Sequence, residues 1–136
     1  MRKRLPSILL VEDDEVNQKV VQAMLKRLGY FPDLAQNGLE ALKTIESKHY
    51  DIIIMDIMMP EMDGLETTMA ICDSMALGEQ PYIIAITACV LTNSMKLCIN
   101  AGMDDYLSKP FSMEELQIAI NKFQARHKQW SIPRYA

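Results

Sequence analysis

A doubly wound α/β fold, a five-stranded parallel sheet flanked by five helices, is predicted by two features of this sequence. First, the runs Ile8-Leu9-Leu10-Val11, Ile52-Ile53-Ile54-Met55 and Ile83-Ile84-Ala85-Ile86 are short, continuous and rich in β-branched residues. Strands buried on both faces of a parallel sheet read that way. Second, longer amphipathic stretches alternate with them, so each strand leads into a crossover helix of right-handed sense.

The elements follow in order. After the strand at 8–11, Val16, Val20, Met24 and Leu28 recur every four residues and Gly29 closes the helix they mark. Phe31 to Ala35 is a weaker strand. Asn37-Gly38-Leu39-Glu40 opens a second helix and, after the strand at 52–55, Asp63-Gly64-Leu65-Glu66 opens a third. In both, a cap residue is followed by Glu three positions later. Leu65, Met69, Cys72 and Ala76 form the expected inner stripe of the third helix. The strand at 83–86 follows, then a helix from about Leu91 to Ala101 that stops at Gly102, then a weak strand at Asp105 to Leu107. Ser112-Met113-Glu114-Glu115 caps the fifth helix, whose inner face is Leu116, Ala119, Ile120 and Phe123.

Composition bounds the function. The 136 residues suit one domain, and 49% hydrophobic with 24% charged residues is an ordinary globular balance. The apolar runs are too short to span a bilayer, and the start, Met1-Arg2-Lys3-Arg4, is broken by Pro6 without the apolar core of a signal peptide. Cys72, Cys89 and Cys98 are odd in number and lack CxxC spacing, which argues against a disulfide framework and structural zinc; the expected location is cytoplasmic. All 18 acidic residues fall between Glu12 and Glu115, where only seven of the 14 basic ones lie. Nucleic acid is therefore not an expected partner, because phosphate backbones need Lys and Arg.

In an open parallel sheet the site lies beyond the carboxyl ends of the strands. Those ends carry Glu12-Asp13-Asp14, Asp56, Thr87-Ala88 and Ser108-Lys109-Pro110. Converging carboxylates repel one another unless a cation joins them. Oxygen ligands without nearby His or Cys point to Mg²⁺. Lys109 suits a phosphoryl oxygen, the Thr87 hydroxyl and the Ala88 N–H suit others, and Asp56 is the candidate nucleophile, since carboxylates form aspartyl phosphates. Each residue alone has a plain structural reading, such as capping for Asp13 or Asp14. Four coincident strand ends do not.

These motifs, Ile8 to Asp14, Asp56-Ile57-Met58-Met59-Pro60-Glu61-Met62-Asp63-Gly64, Thr87-Ala88 and Lys109-Pro110-Phe111, resemble the receiver domain of two-component response regulators over about Ser7 to Phe123. The resemblance implies a flavodoxin-like sheet of strand order 2-1-3-4-5, which is known for this family. It implies that Asp56 accepts a phosphoryl group from a phosphohistidine of a histidine kinase or histidine phosphotransfer protein. Asp13 and Asp56 would ligate Mg²⁺ directly, Met58 through its backbone oxygen and Glu12 through water. Thr87, Ala88 and Lys109 would bind the phosphoryl oxygens, with a cis peptide at Lys109-Pro110. Thr87 and Tyr106 would be the switch pair, remodelling the face built from the fourth helix, fifth strand and fifth helix. The implied protein is a phosphoacceptor switch rather than an enzyme, and makes no membrane contact.

Glu15-Val16-Asn17-Gln18-Lys19-Val20 and Leu28-Gly29-Tyr30 are more similar to receivers fused to hybrid histidine kinases than to DNA-binding regulators. The expected layout is an N-terminal tail at 1–6, the receiver at 7–124 and a C-terminal tail at 125–136, either standing alone or excised from a hybrid kinase. Met58 and Cys89 occupy positions that tune dephosphorylation in the family. Neither suits the orienting of water, so slow hydrolysis is expected unless both merely pack. A weak homodimer is compatible with the sequence, and the downstream target is unspecified. An aspartate-nucleophile phosphatase is disfavoured because Met58, not an acid, stands two residues after Asp56. A flavin site is disfavoured because no Ser/Thr/Gly-rich loop follows the first strand. His49 and His127 lie away from every motif.

Overall fold

The computed structural model describes residues 5–76, 78–88 and 92–126, with residues 92–95 and 126 described by backbone alone. The elements are β1 (Ile8–Val11), α1 (Glu15–Arg27), β2 (Asp33–Ala35), α2 (Gly38–Ser47), β3 (Ile52–Asp56), α3 (Gly64–Ser74), β4 (Tyr82–Thr87), α4 (Thr92–Ala101), β5 (Asp105–Ser108) and α5 (Met113–Arg126). The five strands are parallel in the order β2-β1-β3-β4-β5. The reversal in that order falls between β1 and β3, whose carboxyl ends carry Glu12 and Asp56.

Successive strand residues point to opposite faces, which divides the apolar runs between two cores. Ile8, Leu10, Ile52, Ile54 and Ile84 meet Leu25 of α1 and Leu116, Ile120 and Phe123 of α5 on one side. Leu9, Ile53, Met55 and Ile83 meet Ala41, Ile71 and Cys98 of α2, α3 and α4 on the other. Each fully buried Ile or Leu in these layers stabilises the fold by about 1.5–3 kcal/mol.

Side-chain caps start the helices. Asp14 accepts from Asn17 N at 2.9 Å, Asn37 from Glu40 N at 2.8 Å and Asp63 from Glu66 N at 2.8 Å. Ser112 and Glu115 cap reciprocally, with Glu115 N donating to Ser112 Oγ at 3.1 Å and Ser112 N to Glu115 Oε1 at 3.2 Å. Two helix faces differ from the expected ones. Val16 and Val20 are exposed, and α1 instead buries Gln18, Val21 and Leu25. On α3, Met69 is exposed and Ala76 lies past the helix end, while Thr67, Thr68 and Ile71 are buried.

Candidate functional site

Glu12, the first residue after β1, is 2% exposed, and Asp56, the last of β3, is 4% exposed. Both are buried because the flanking strands and helices are. Asp13 beside them is exposed. One carboxylate oxygen from each of Glu12, Asp13 and Asp56 lies within 4.8 Å of the others. Lys109, just past β5, sends Nζ to 3.1 Å from Glu12 Oε1 and 3.6 Å from Asp56 Oδ1. One ammonium thus faces two buried carboxylates.

That imbalance shapes the electrostatics. Burial, and after it the hydrogen bond and charge of Glu12, push the Asp56 carboxyl up to about 8, against the opposing pull of Lys109 and the Met58 N–H. Met58 N donates to Asp56 Oδ1 at 3.3 Å. Glu12 Oε2 is buried with no hydrogen-bond partner among the described residues. An orphaned carboxylate oxygen in an all-oxygen cluster fits a hard divalent cation, which would neutralise what Lys109 alone does not.

The surrounding backbone holds this arrangement. Glu12 N donates to Ala35 O at 3.1 Å, and Lys109 N to Thr87 O at 2.8 Å, which ties the Lys109 loop to the end of β4. The Lys109-Pro110 peptide is cis. Thr87 is buried at the end of β4, and Ala88 follows it exposed. Asp56 pairs with Ile86 across the β3–β4 ladder, so Thr87 extends one position beyond the row that holds Asp56. Tyr106 is half-buried on β5 opposite Ala85. A cleft of about 540 Å³ opens beside the site, lined by Met58, Met59, Pro60, Thr87, Leu97 and Cys98 among others. Cys89 and His127 lie outside the described residues. His49 is far from the cluster, at the opposite end of β3, 3.3 Å from Asp51.

Two residues that stand within the motifs contribute in ways the motifs do not show. Gln18 is buried and donates from Nε2 to Glu12 O at 2.7 Å. Its sequence signal is phase: positions 18, 21 and 25 share one helix face, and the polar member looks back at the site. Gly64, at the start of α3, is pressed so closely to β3 that a Cβ there would run into the Asp56 carbonyl oxygen and Ile57 Cα.

A family model described as the response regulator receiver domain matches residues 8–121. Hybrid signal transduction histidine kinase G of Dictyostelium discoideum is 43% identical over 118 residues, 85% of this chain and 3% of that protein. The aerobic respiration control sensor protein ArcB of Escherichia coli K12 is 38% identical over 117 residues, 86% of this chain and 15% of that protein. The chain therefore spans a small fraction of the length of the curated relatives it matches. Among solved structures, the receiver domain of the sensor histidine kinase PA1611 from Pseudomonas aeruginosa superposes with a TM-score of 0.77 at 42% identity. That match covers 90% of this chain and 97% of that one, and that structure has a magnesium ion coordinated in its active site cleft.

Proposed function

The chain belongs to the response regulator receiver domain family, and from that membership we propose that Asp56 is its phosphoacceptor, working with Mg²⁺ and receiving its phosphoryl group from a histidine kinase or histidine phosphotransfer protein. Two-component phosphoreceiver function comes with the family. The residue roles rest on one observation: Glu12, Asp13 and Asp56 share one oxygen cluster that Lys109 only partly neutralises.

An Asp56 carboxylate oxygen attacks phosphorus and forms the O–P bond of an acyl phosphate. The P–N bond of the donor phosphohistidine breaks, and the imidazole departs with that electron pair. The chain's part is positioning and charge balance, the two demands of phosphoryl transfer. The Met58 N–H fixes the Asp56 carboxylate, and Lys109 stands ready for a phosphoryl oxygen. The Thr87 hydroxyl and the Ala88 N–H complete the oxygen cradle. Asp13, Asp56 and the Met58 carbonyl would hold Mg²⁺, with Glu12 reaching it through water, and the ion would supply neutralisation of the carboxylates and the incoming phosphoryl oxygens. Thr87 drawn toward the phosphate lets Tyr106 turn inward and alters the face of α4, β5 and α5, a two-state element biased by local charge.

The domain layout, a receiver at 7–124 between short tails, and a cytoplasmic setting belong to the same reading. So does the assignment to a hybrid kinase, which the relatives named above support. Intact-mass spectrometry after incubation with acetyl phosphate and Mg²⁺ tests it. Uptake of one phosphate that is lost in Asp56→Asn is the expected result. No uptake by the wild type overturns the assignment in favour of a module that only binds partners.

A further inference from the structure

We propose that Gln18 is a positioning residue for the metal-binding end of β1, setting the Mg²⁺ affinity of the site without touching the ion. The inference rests on the magnesium reading above and goes beyond it, because Gln18 lies on a helix, outside the cluster of oxygen ligands.

The turn Glu12-Asp13-Asp14 joins β1 to α1 and must aim Glu12 inward and Asp13 at the same point. Three of the bonds that fasten it set this aim. Glu12 N donates to Ala35 O at 3.1 Å on the β2 side. Asp14 Oδ2 accepts from Asn17 N at 2.9 Å, which sets the entry into α1. Glu12 O, pointing the other way, accepts from Gln18 Nε2 at 2.7 Å.

The third bond is the unusual one. Gln18 is 7% exposed and shares its helix face with Val21 and Leu25, where an apolar side chain would pack at less cost. Burying an amide is unfavourable unless it is hydrogen-bonded. The partner it finds is the carbonyl of the very residue whose side chain carries the orphaned Oε2. Fixing that carbonyl fixes the peptide plane between Glu12 and Asp13, and hence the directions in which both carboxylates leave the chain. Without Gln18 the carbonyl loses this anchor, and the peptide is held only from its two flanks, by Glu12 N and by the Asp14 cap. Outer partners of this kind typically change metal affinity about 10- to 100-fold.

Calorimetric titration with MgCl₂ on the unphosphorylated protein tests this, comparing wild type with Gln18→Met, which keeps the volume and removes the donor. The expected result is a Kd raised about ten-fold, with the wild type and variant both folded at the titration temperature. An unchanged Kd in Gln18→Met overturns the proposal, even when its melting temperature has dropped. A wild type that takes up no Mg²⁺ overturns the magnesium reading and this proposal with it, and the wild-type titration alone tells the two failures apart. If the variant does not fold, the wild type still decides: the Gln18 side-chain amide resonances are expected to move as MgCl₂ is added, and resonances that stay fixed while Mg²⁺ binds overturn the coupling.

Discussion

Lys109 Nζ lies 3.1 Å from Glu12 Oε1, a contact between the loop after β5 and the end of β1. The ammonium is 23% exposed and the carboxylate 2%, so removing the lysine strands a buried charge rather than a solvated one. Lys109→Met is expected to destabilise the metal-free protein by about 1.5–3 kcal/mol, the range for a charged hydrogen bond. Added Mg²⁺ should recover more melting temperature in the variant than in the wild type, because the ion then carries the whole neutralisation. Thermal melts with and without MgCl₂ check both statements. Equal magnesium increments in the two proteins would contradict this role.

The same crowding predicts a pH dependence. Asp56 is pushed up to about 8, well above an unfolded carboxylate near 4. Between those values the folded chain binds a proton that the unfolded chain has released, so stability falls as pH rises through this window. The metal-free wild type should therefore lose melting temperature from pH 5 to pH 8 relative to Asp56→Asn, which carries no such proton. Mg²⁺ requires the ionised carboxylate, so its affinity should climb over the same window. Parallel melting curves for the two proteins across this range would refute the raised value.

Close approach of backbones predicts a third effect. A methyl at Gly64 would run into the Asp56 carbonyl oxygen, and one at Gly38 into Thr67 Oγ1, with Met62 O 3.2 Å away. The first turn of α3 thus nests against the end of β3, and the first turn of α2 against Thr67 of α3 and the Met62 backbone. Gly64→Ala should cost about 1–3 kcal/mol through overpacking, and should also slow phosphate uptake by displacing the loop after Asp56. Gly38→Ala should be relieved in part by Thr67→Ala, because the obstructing oxygen is then gone. Urea denaturation of the single and double variants measures that coupling.

The contrast between legible and illegible parts follows from what each depends on. The apolar strand runs and the caps at Asn37, Asp63 and Ser112 are local patterns and stand where expected, while the second strand starts at Asp33 rather than Phe31. On α1 the start of the inner face differs from the expected one because a strict every-fourth spacing advances about 40° around a helix at each step. Val16 and Val20 thereby lie off the face that Leu25 occupies. Gln18 and Thr67 lie on the true inner faces, where a bond meets each polar group: Gln18 Nε2 to Glu12 O and Thr67 Oγ1 to Asp63 O. The Thr67 bond closes on the carbonyl four residues earlier, whereas the Gln18 bond depends on how the turn after β1 folds back on α1, which no periodicity encodes. Gly64 is visible in the sequence as part of a cap, while its closeness to Asp56 is not.

A clasp at the far end of β3 gives a control for stability without function. Asp51 Oδ2 accepts from Ser7 N at 2.8 Å and from Ser7 Oγ at 3.1 Å, and His49 Nε2 lies 3.3 Å from Oδ1. It stands five residues before Asp56, roughly 16 Å along the strand. Asp51→Ala should cost about 2–4 kcal/mol, since bonds to a charged acceptor contribute about 1.5–3 kcal/mol each and the group is mostly buried. Below its melting range the variant should take up phosphate at the wild-type rate. Slower uptake by the folded variant would mean that the two ends of β3 are coupled.

Phosphoryl lifetime is the last consequence of the site's make-up. Hydrolysis needs a water held in line with phosphorus opposite the Asp56 oxygen, and a side chain at the mouth of the site can hold it. Met58 is 68% exposed there, and its backbone N–H is engaged with Asp56 Oδ1. A thioether donates no hydrogen bond and accepts weakly, so this side chain neither orients nor activates water. Purified, phosphorylated protein in Mg²⁺ should therefore lose its phosphate slowly, over minutes or longer, as followed by intact mass. Met58→Gln places an amide within reach of that water and should shorten the lifetime several-fold. A wild-type half-life of only seconds would sink the idea. An unaltered lifetime in Met58→Gln would shift control of hydrolysis away from this position, whereas a shortened one would identify Met58 as the residue that keeps the switch on.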